Sequence, residues 1–361
     1  MKTIIIISHF LSCNIGDKIQ SYSLLNAVHN VILVNLFPFN KDYEYCGQLK
    51  RNIYSFDYLS RQVEAIDYVI VFTGSIGSVK IYNDYLRKLL DRVNNQFIMI
   101  GGFSSDVIQI SNDPNYYVDY SRLDYLFSNK KVLFYARTVN ELELFKLMGN
   151  RVTNDNIVCT YRHGGDIIVN SANTLQKKEN TPTDRVAILS IHLIQHMKSN
   201  NTLGWLKELL KETDKILLMD AYADKKVLEY LESIGSTIPV VITDRKDVLL
   251  THLLEANVVI SSRLHGAVIS AALGIPTYLL PSDNSINSDI YLPNKNRLLG
   301  SFKYHSFCKS ALTKDIGLGK LIRHEDLAKF HYEPYKVDNE TVQRYNLLCK
   351  HTEQQIINIV Q

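Results

Sequence analysis

Apolar residues in the first half of this chain fall into short, β-branched runs: TIIIIS (3–8), NVILVNL (30–36), DYVIVFT (67–73), QFIMIG (96–101) and KVLFYA (131–136). Each run is almost free of polar interruption, the pattern of a strand covered on both faces by helices. Between several of them lie stretches whose apolar positions recur at helical spacing, such as NDYLRKLLDRV (83–93) and NELELFKLMG (140–149). Alternation of the two patterns predicts βαβ units around a parallel sheet.

The alternation stops at NSANTLQKKENTPTDR (170–185), a polar, charged stretch that reads as a linker. It then restarts with RVAILSIH (185–192), KILLMDA (215–221), PVVIT (239–243), NVVISS (257–262) and PTYLLP (276–281), with amphipathic segments between them. The tail, NETVQRYNLLCKHTEQQIINIV (339–360), is helical by period. The expectation is an α/β protein of two Rossmann-like domains, 1–172 and 183–338, facing across a cleft. Residues 339–361 would form a helix packing back on the first domain. The opening MKTIIIISHFLSC reads as the first buried strand rather than an export signal, because His9 interrupts the apolar run and no small-residue cleavage site follows.

Composition narrows the classes of function. A chain of 361 residues exceeds what one hydrophobic core usually serves, in keeping with two domains. Lys and Arg number 40 against 37 Asp and Glu, a net charge of +3 with no long basic run, so no nucleic-acid partner is expected. The five cysteines form no C-x-x-C, which points to a reducing compartment and to neither a zinc site nor a disulfide framework. No run approaches the ~20 apolar residues of a membrane span. A cytoplasmic location without a transmembrane segment is the expectation.

In open parallel sheets ligands bind beyond the carboxyl ends of strands, where loops turn into helices whose N–H groups attract anions. Two segments have that form. In SCNIGDKIQSYSLL (12–25), Gly16 permits a sharp turn and Asp17 is predicted as N-cap, with Gln20 as its capping-box partner. An acid there repels anions, so Asn14 and Asp17 are assigned to a hydroxyl-rich acceptor. In SSRLHGAVISAALGIP (261–276), Ser262 is the predicted N-cap, Arg263 and His265 lie in the first turn, and the small residues let the helix sit close to the sheet. Arg263 offers a planar fork for carboxylate or phosphate. The helix dipole and Arg263 both disfavour a cationic His265, leaving it neutral and able to accept a proton. Arg137 ends the strand VLFYA, where a charge is unexpected in a core, and Thr138 can cap the helix after it.

Together these residues resemble the polysaccharide pyruvyl transferase family. The resemblance runs from N-x-G-D (Asn14, Gly16, Asp17), through Arg137 at a strand end and Asp166 after a short mid-chain strand, to S-x-R-x-H-G (Ser261, Arg263, His265, Gly266) with G-x-P (Gly274, Pro276) downstream. It implies a GT-B-like fold and transfer of the enolpyruvyl unit of phosphoenolpyruvate onto two sugar hydroxyls, giving a cyclic ketal, in surface polysaccharide or glycan biosynthesis. Arg263 and His265 would be the catalytic pair. Arg137, Arg263, Ser262, Gly266 and Lys295 would hold the donor, and Asn14 and Asp17 the acceptor. Some members carry a functional lysine in the loop after the G-x-P strand. Here that loop has none before Lys295, so either Lys295 or Arg297 takes its place from farther along or donor binding is built differently. Phosphate leaves as a stable anion, so neither metal nor cofactor is required beyond phosphoenolpyruvate as co-substrate. The partners are then a small-molecule donor and a sugar or glycan acceptor, lipid-linked or not. Two other readings use the same residues. One is a GT-B glycosyltransferase whose Arg263 and His265 hold a nucleotide-sugar diphosphate. The other is a catalytically inactive relative that binds a sugar or anion.

Overall fold

The computed structural model describes residues 2–25, 28, 30–36, 39–76, 80–103, 108–109, 117–118, 124–153, 159–171, 182–280, 318–322 and 324–361. The first sheet is built from β1 (Ile4–Ser8), β2 (Val31–Asn35), β3 (Tyr43–Cys46), β4 (Arg51–Tyr54), β5 (Ile66–Ile76) and β6 (Val93–Phe103). A two-stranded ribbon of β7 (Ile108–Gln109) and β8 (Tyr117–Val118) stands apart, and β9 (Val132–Ala136) and β10 (Thr160–His163) complete the sheet. Its order is β10-β9-β6-β5-β1-β2-β4-β3, parallel throughout except for the antiparallel β3–β4 pair. The helices of this half are α1 (Ile15–Tyr22), α2 (Phe56–Gln62), α3 (Lys80–Arg92), α4 (Asp124–Phe127) and α5 (Val139–Thr153).

The second sheet contains β11 (Asp184–Leu189), β12 (Lys215–Leu218), β13 (Val240–Ile242), β14 (Ala256–Ser261), β15 (Thr277–Leu279) and β16 (Lys320–Leu321), all parallel, in the order β13-β12-β11-β14-β15-β16. Counted from its own first strand this is 3-2-1-4-5-6, the doubly wound order of dinucleotide-binding domains. Its helices are α6 (Ile191–Ser199), α7 (Leu203–Lys211), α8 (Lys225–Ser233), α9 (Lys246–Leu254) and α10 (Leu264–Ala272). Every residue of β1 and β9 is buried, as expected of strands sandwiched between helical layers.

Differences from the sequence pattern have local causes. The run RVAILSIH stops being strand at Leu189, because Ser190 N-caps α6 through the Leu193 N–H and draws Ile191 and His192 into the helix. The run KILLMDA ends at Leu218, since the Asp220 carboxylate accepts the N–H groups of Tyr222 and Ala223 and folds the chain into a turn. The hairpin β3–β4 has no counterpart in the predicted elements. Its edge strand β3 is largely exposed and reads YEYC, so the uninterrupted apolar run of an interior strand is missing.

The last helix, α11 (Asn339–Val360), is capped by Asp338 and spans both halves. Val342, Tyr345 and Cys349 enter the core beside α10, while Ile356, Ile357 and Val360 enter the core of β1. Lys2 closes the arrangement by donating from Nζ to the Gln361 carbonyl at 2.7 Å. Among the described residues no helix is long and apolar enough to cross a membrane.

In each sheet the strand order reverses at its first strand, between β1 and β5 and between β11 and β14. Loops leaving these strands diverge to opposite faces and open a crevice. Residues 9–14 leave one such point, and Ser190, Ser262 and Arg263 leave the other.

Candidate functional site

The loop after β1 is stitched to the second domain by its backbone. Ile15 N–H donates to the Met219 carbonyl at 2.7 Å, Ala221 N–H donates to the Cys13 carbonyl at 3.2 Å, and Asn14 and Asp220 form an antiparallel bridge. Ile15 and Ile19 of α1 then enter the same core as Ala267, Val268 and Ala271 of α10. The two switch points are therefore held together by a hydrogen-bonded, apolar seam.

Asn14, rather than Asp17, caps α1: its side-chain oxygen accepts the Gly16 N–H at 2.9 Å. The predicted capping box is absent. Gln20 is buried, and its Oε1 has no partner among the described residues. Asp17, one turn in, points elsewhere: its Oδ2 accepts from Ser12 Oγ at 3.3 Å and its Oδ1 lies 3.6 Å from His265 Nδ1. That separation is an ion-pair distance, longer than a hydrogen bond. Gly16 makes the approach possible. A Cβ there would come within 2.7 Å of His265 Cβ and 2.8 Å of its Nδ1, so any side chain at this position would displace the imidazole.

The start of α10 also differs from expectation. Helical geometry begins at Leu264, and extended Arg263 is the capping residue without a side-chain cap bond. Ser262 is buried, and its hydroxyl donates to the Ile188 carbonyl and bonds Ser190 Oγ, tying the ends of β14 and β11 together. Gly266 faces the sheet. A Cβ there would meet Ile188 Cδ1 and Met219 Sδ at 2.8 Å each, so it permits close helix–sheet packing. The Ser262 side chain and the missing side chain of Gly266 thus both serve the packing of this junction. Arg263 pairs through Nη2 with Asp224 Oδ1 at 2.5 Å. Asp224 is fully buried and also accepts the N–H groups of Ile191 and Asp220. The guanidinium is thus anchored from behind, while its enclosed Nε has no partner among the described residues. That orphaned donor is the part of Arg263 suited to an anion.

A third titratable group joins this cluster without having been predicted. His9, directly after β1, is buried, and its charge couples to Asp17 and His265. Burial pushes its pKa below the ordinary 6.5 against the pull of Asp17, with His265 adding to the lowering. The folded protein thus resists a proton that the unfolded chain accepts near 6.5. The His9 contribution to stability is complete above that pH and is lost as pH falls below it, by up to about 1.4 kcal/mol per pH unit. Urea unfolding at pH 7.5, 6.5 and 5.5 should show a shallower decline in His9→Gln than in the parent protein. Equal slopes would mean that His9 titrates normally.

Arg137 is not part of this cluster. It follows β9, three strand spacings or roughly 14 Å across the sheet from β1. Its side chain is buried and pairs with Glu141, four residues on, at 2.8 Å. Burial works against its charge, and Glu141 and then Asp166 outweigh the burial to raise the pKa. Asp166 donates its N–H to Tyr345 Oη of α11 at 2.9 Å, so this charge cluster lies under the last helix. The two-arginine clamp expected of Arg137 and Arg263 is not assembled, because Arg137 follows a strand three positions away in the sheet and its guanidinium is buried against Glu141. Thr138 does cap α5, accepting the Glu141 N–H at 3.2 Å. Lys295 and Arg297 lie outside the described residues.

No protein-family description matches the sequence, and no curated protein matches it. Solved structures do. UGT89C1 of Arabidopsis thaliana, complexed with UDP-L-rhamnose, aligns at TM-score 0.53 and 10% identity over 99% of either chain. The UDP-GlcNAc 2-epimerase of Methanocaldococcus jannaschii, in complex with UDP-GlcNAc and UDP, aligns at TM-score 0.52 and 13% identity over 97% of this chain and 100% of that one. The fold is GT-B. In this chain His9, Asp17, Arg263 and His265 gather where the two Rossmann-like halves meet, with Asn14 beside them in the backbone seam.

Proposed function

We propose that the protein is a transferase that moves a group from an anionic, phosphorylated donor onto a sugar hydroxyl. His265 would be the proton-transferring group and Asp17 its orienting partner. The observation that carries this reading is the meeting of N-x-G-D and R-x-H-G, from opposite halves of the chain, with Asp17 Oδ1 3.6 Å from His265 Nδ1. With Nδ1 turned toward the carboxylate, exchange of a proton with substrate falls to Nε2. The donor anion would lie at the N-terminal end of α10, beside Arg263 Nε.

Two donors have specific support. A nucleotide sugar is favoured by the like-folded proteins, which hold UDP-L-rhamnose or UDP-GlcNAc and UDP. Here His265 would take the proton of the attacking hydroxyl as the diphosphate leaves. Phosphoenolpyruvate is favoured by the resemblance carried by N-x-G-D and R-x-H-G, the two segments of the motif set that meet at the seam, whereas Arg137 and Asp166 lie apart from it. In that reaction both hydroxyls lose protons and bond to the central carbon, the methylene carbon gains one proton, and the other leaves with phosphate as the carbon–oxygen bond to it breaks. Incubation with pooled acceptor sugars separates the two readings: nucleotide release supports the first and phosphate release from phosphoenolpyruvate the second. If neither donor is turned over, while anion binding persists and is lost in Arg263→Ala, the transferase reading fails and a binding protein remains.

A further inference from the structure

A second concave site lies on the outer layer of the C-terminal domain, between α6, α7 and α8. It is a cavity of ≈ 540 Å³ whose floor is formed by Ile191, Ile194, Leu203, Tyr230 and Ile234. Three lysines, Lys198, Lys207 and Lys226, border it against one acid, Glu229. All three are exposed, and among the described residues none is held in an ion pair, whereas Lys211 on α7 is bound by Glu208 at 2.6 Å. Gly204 adds an opening in the wall: a Cβ built there meets nothing within 4 Å.

We propose that this groove binds a single-chain amphiphile, an alkyl or prenyl chain ending in a phosphate. The apolar floor requires a hydrocarbon occupant, and the excess of unpaired lysines requires a negative head. The shape gives the size. From Ile191 to Lys198 the floor follows α6 for about 10 Å, room for a chain of roughly eight carbons. The groove is concave, so the flat face of a bilayer would not fill it, and a free phosphate would leave the floor wet. One end borders the candidate site, because Ile191 N–H bonds Asp224, the carboxylate that anchors Arg263. The assignment does not depend on which donor the crevice takes.

Binding heat is followed calorimetrically while the full-length protein is titrated with hexyl, octyl and decyl phosphate below their micellar concentrations. Binding should saturate and tighten by up to about fifteenfold from hexyl to octyl, since each of the two added methylenes is worth about fourfold when buried. It should then level off at decyl as the groove fills. Inorganic phosphate and octyl glucoside, which lack the tail and the charge respectively, should bind at least tenfold more weakly than octyl phosphate. Gly204→Leu fills the opening and should weaken octyl phosphate at least tenfold with no fall in melting temperature, because leucine suits a helix better than glycine. Lys198→Glu with Lys207→Glu should weaken octyl phosphate tenfold and leave octyl glucoside unchanged. The proposal is overturned if affinity ignores chain length, if Gly204→Leu binds like the parent protein, if octyl glucoside binds as well as octyl phosphate, or if only anionic vesicles give a signal.

Discussion

Replacing His265 with alanine is expected to abolish turnover, by about 10²- to 10⁴-fold in kcat, with donor affinity within a few-fold of the parent protein. The reason is positional. The imidazole stands at the seam between the two switch points, only 11% exposed, with Asp17 at 3.6 Å and Gly16 pressed against its Cβ. Alanine removes the proton carrier and leaves the small residues of α10 packed as before. Asp17 acts through His265, so Asp17→Asn should lower kcat less and shift the acid limb of the pH–rate profile, a change that loss of packing alone would not produce. Gly16→Ala offers an independent test from the other domain. Its methyl would overlap the imidazole and force it aside, lowering kcat while also costing about 1–3 kcal/mol of stability. The measurements are steady-state kinetics with whichever donor is turned over, beside thermal unfolding. Full activity in His265→Ala would remove the centre of the proposed function.

Arg137→Ala is expected to act on stability and to leave the donor alone. Its guanidinium is enclosed with Glu141 at 2.8 Å and feels Asp166, all beneath α11. Truncation strands a buried carboxylate, a loss of about 3–5 kcal/mol, which lowers the melting temperature by roughly 4–7 °C in a chain of this size. Replacing both partners together, as Arg137→Met with Glu141→Leu, should recover much of that loss because no uncompensated charge remains. Calorimetry and donor KM on the same preparations decide the matter. A large rise in KM with an unchanged melting temperature would return Arg137 to the donor site.

The pairing of Arg137 with Glu141 was open to sequence reasoning, because Glu141 falls four residues on, in the first turn of the helix predicted directly after Arg137. The anchor of Arg263 was not. Asp224 lies 39 residues upstream, after a different strand, and nothing in its local sequence points to α10. His9 carried a weaker signal: an ionisable residue directly behind the first buried strand sits at the place where loops diverge. Ser262 and Gly266 were read correctly as belonging to a strand-to-helix junction, yet both serve its packing. A small or hydroxylated residue at such a junction meets either demand, and only its neighbours distinguish them.

By itself the sequence determined the architecture: uninterrupted β-branched runs alternating with amphipathic segments admit little besides helix-covered parallel sheets, and the break near residue 170 divides them in two. It also placed the chemistry at strand ends, since a charge at the close of an apolar run cannot stay inside the sheet. Only the tertiary structure decided which charges meet: Asp17 with His265, Arg263 with Asp224, Arg137 with Glu141 and Asp166. Backbone pattern is local and repeats with a fixed period, whereas the partner of a buried charge is whatever group the folded chain brings within a few ångströms, most often from a distant segment.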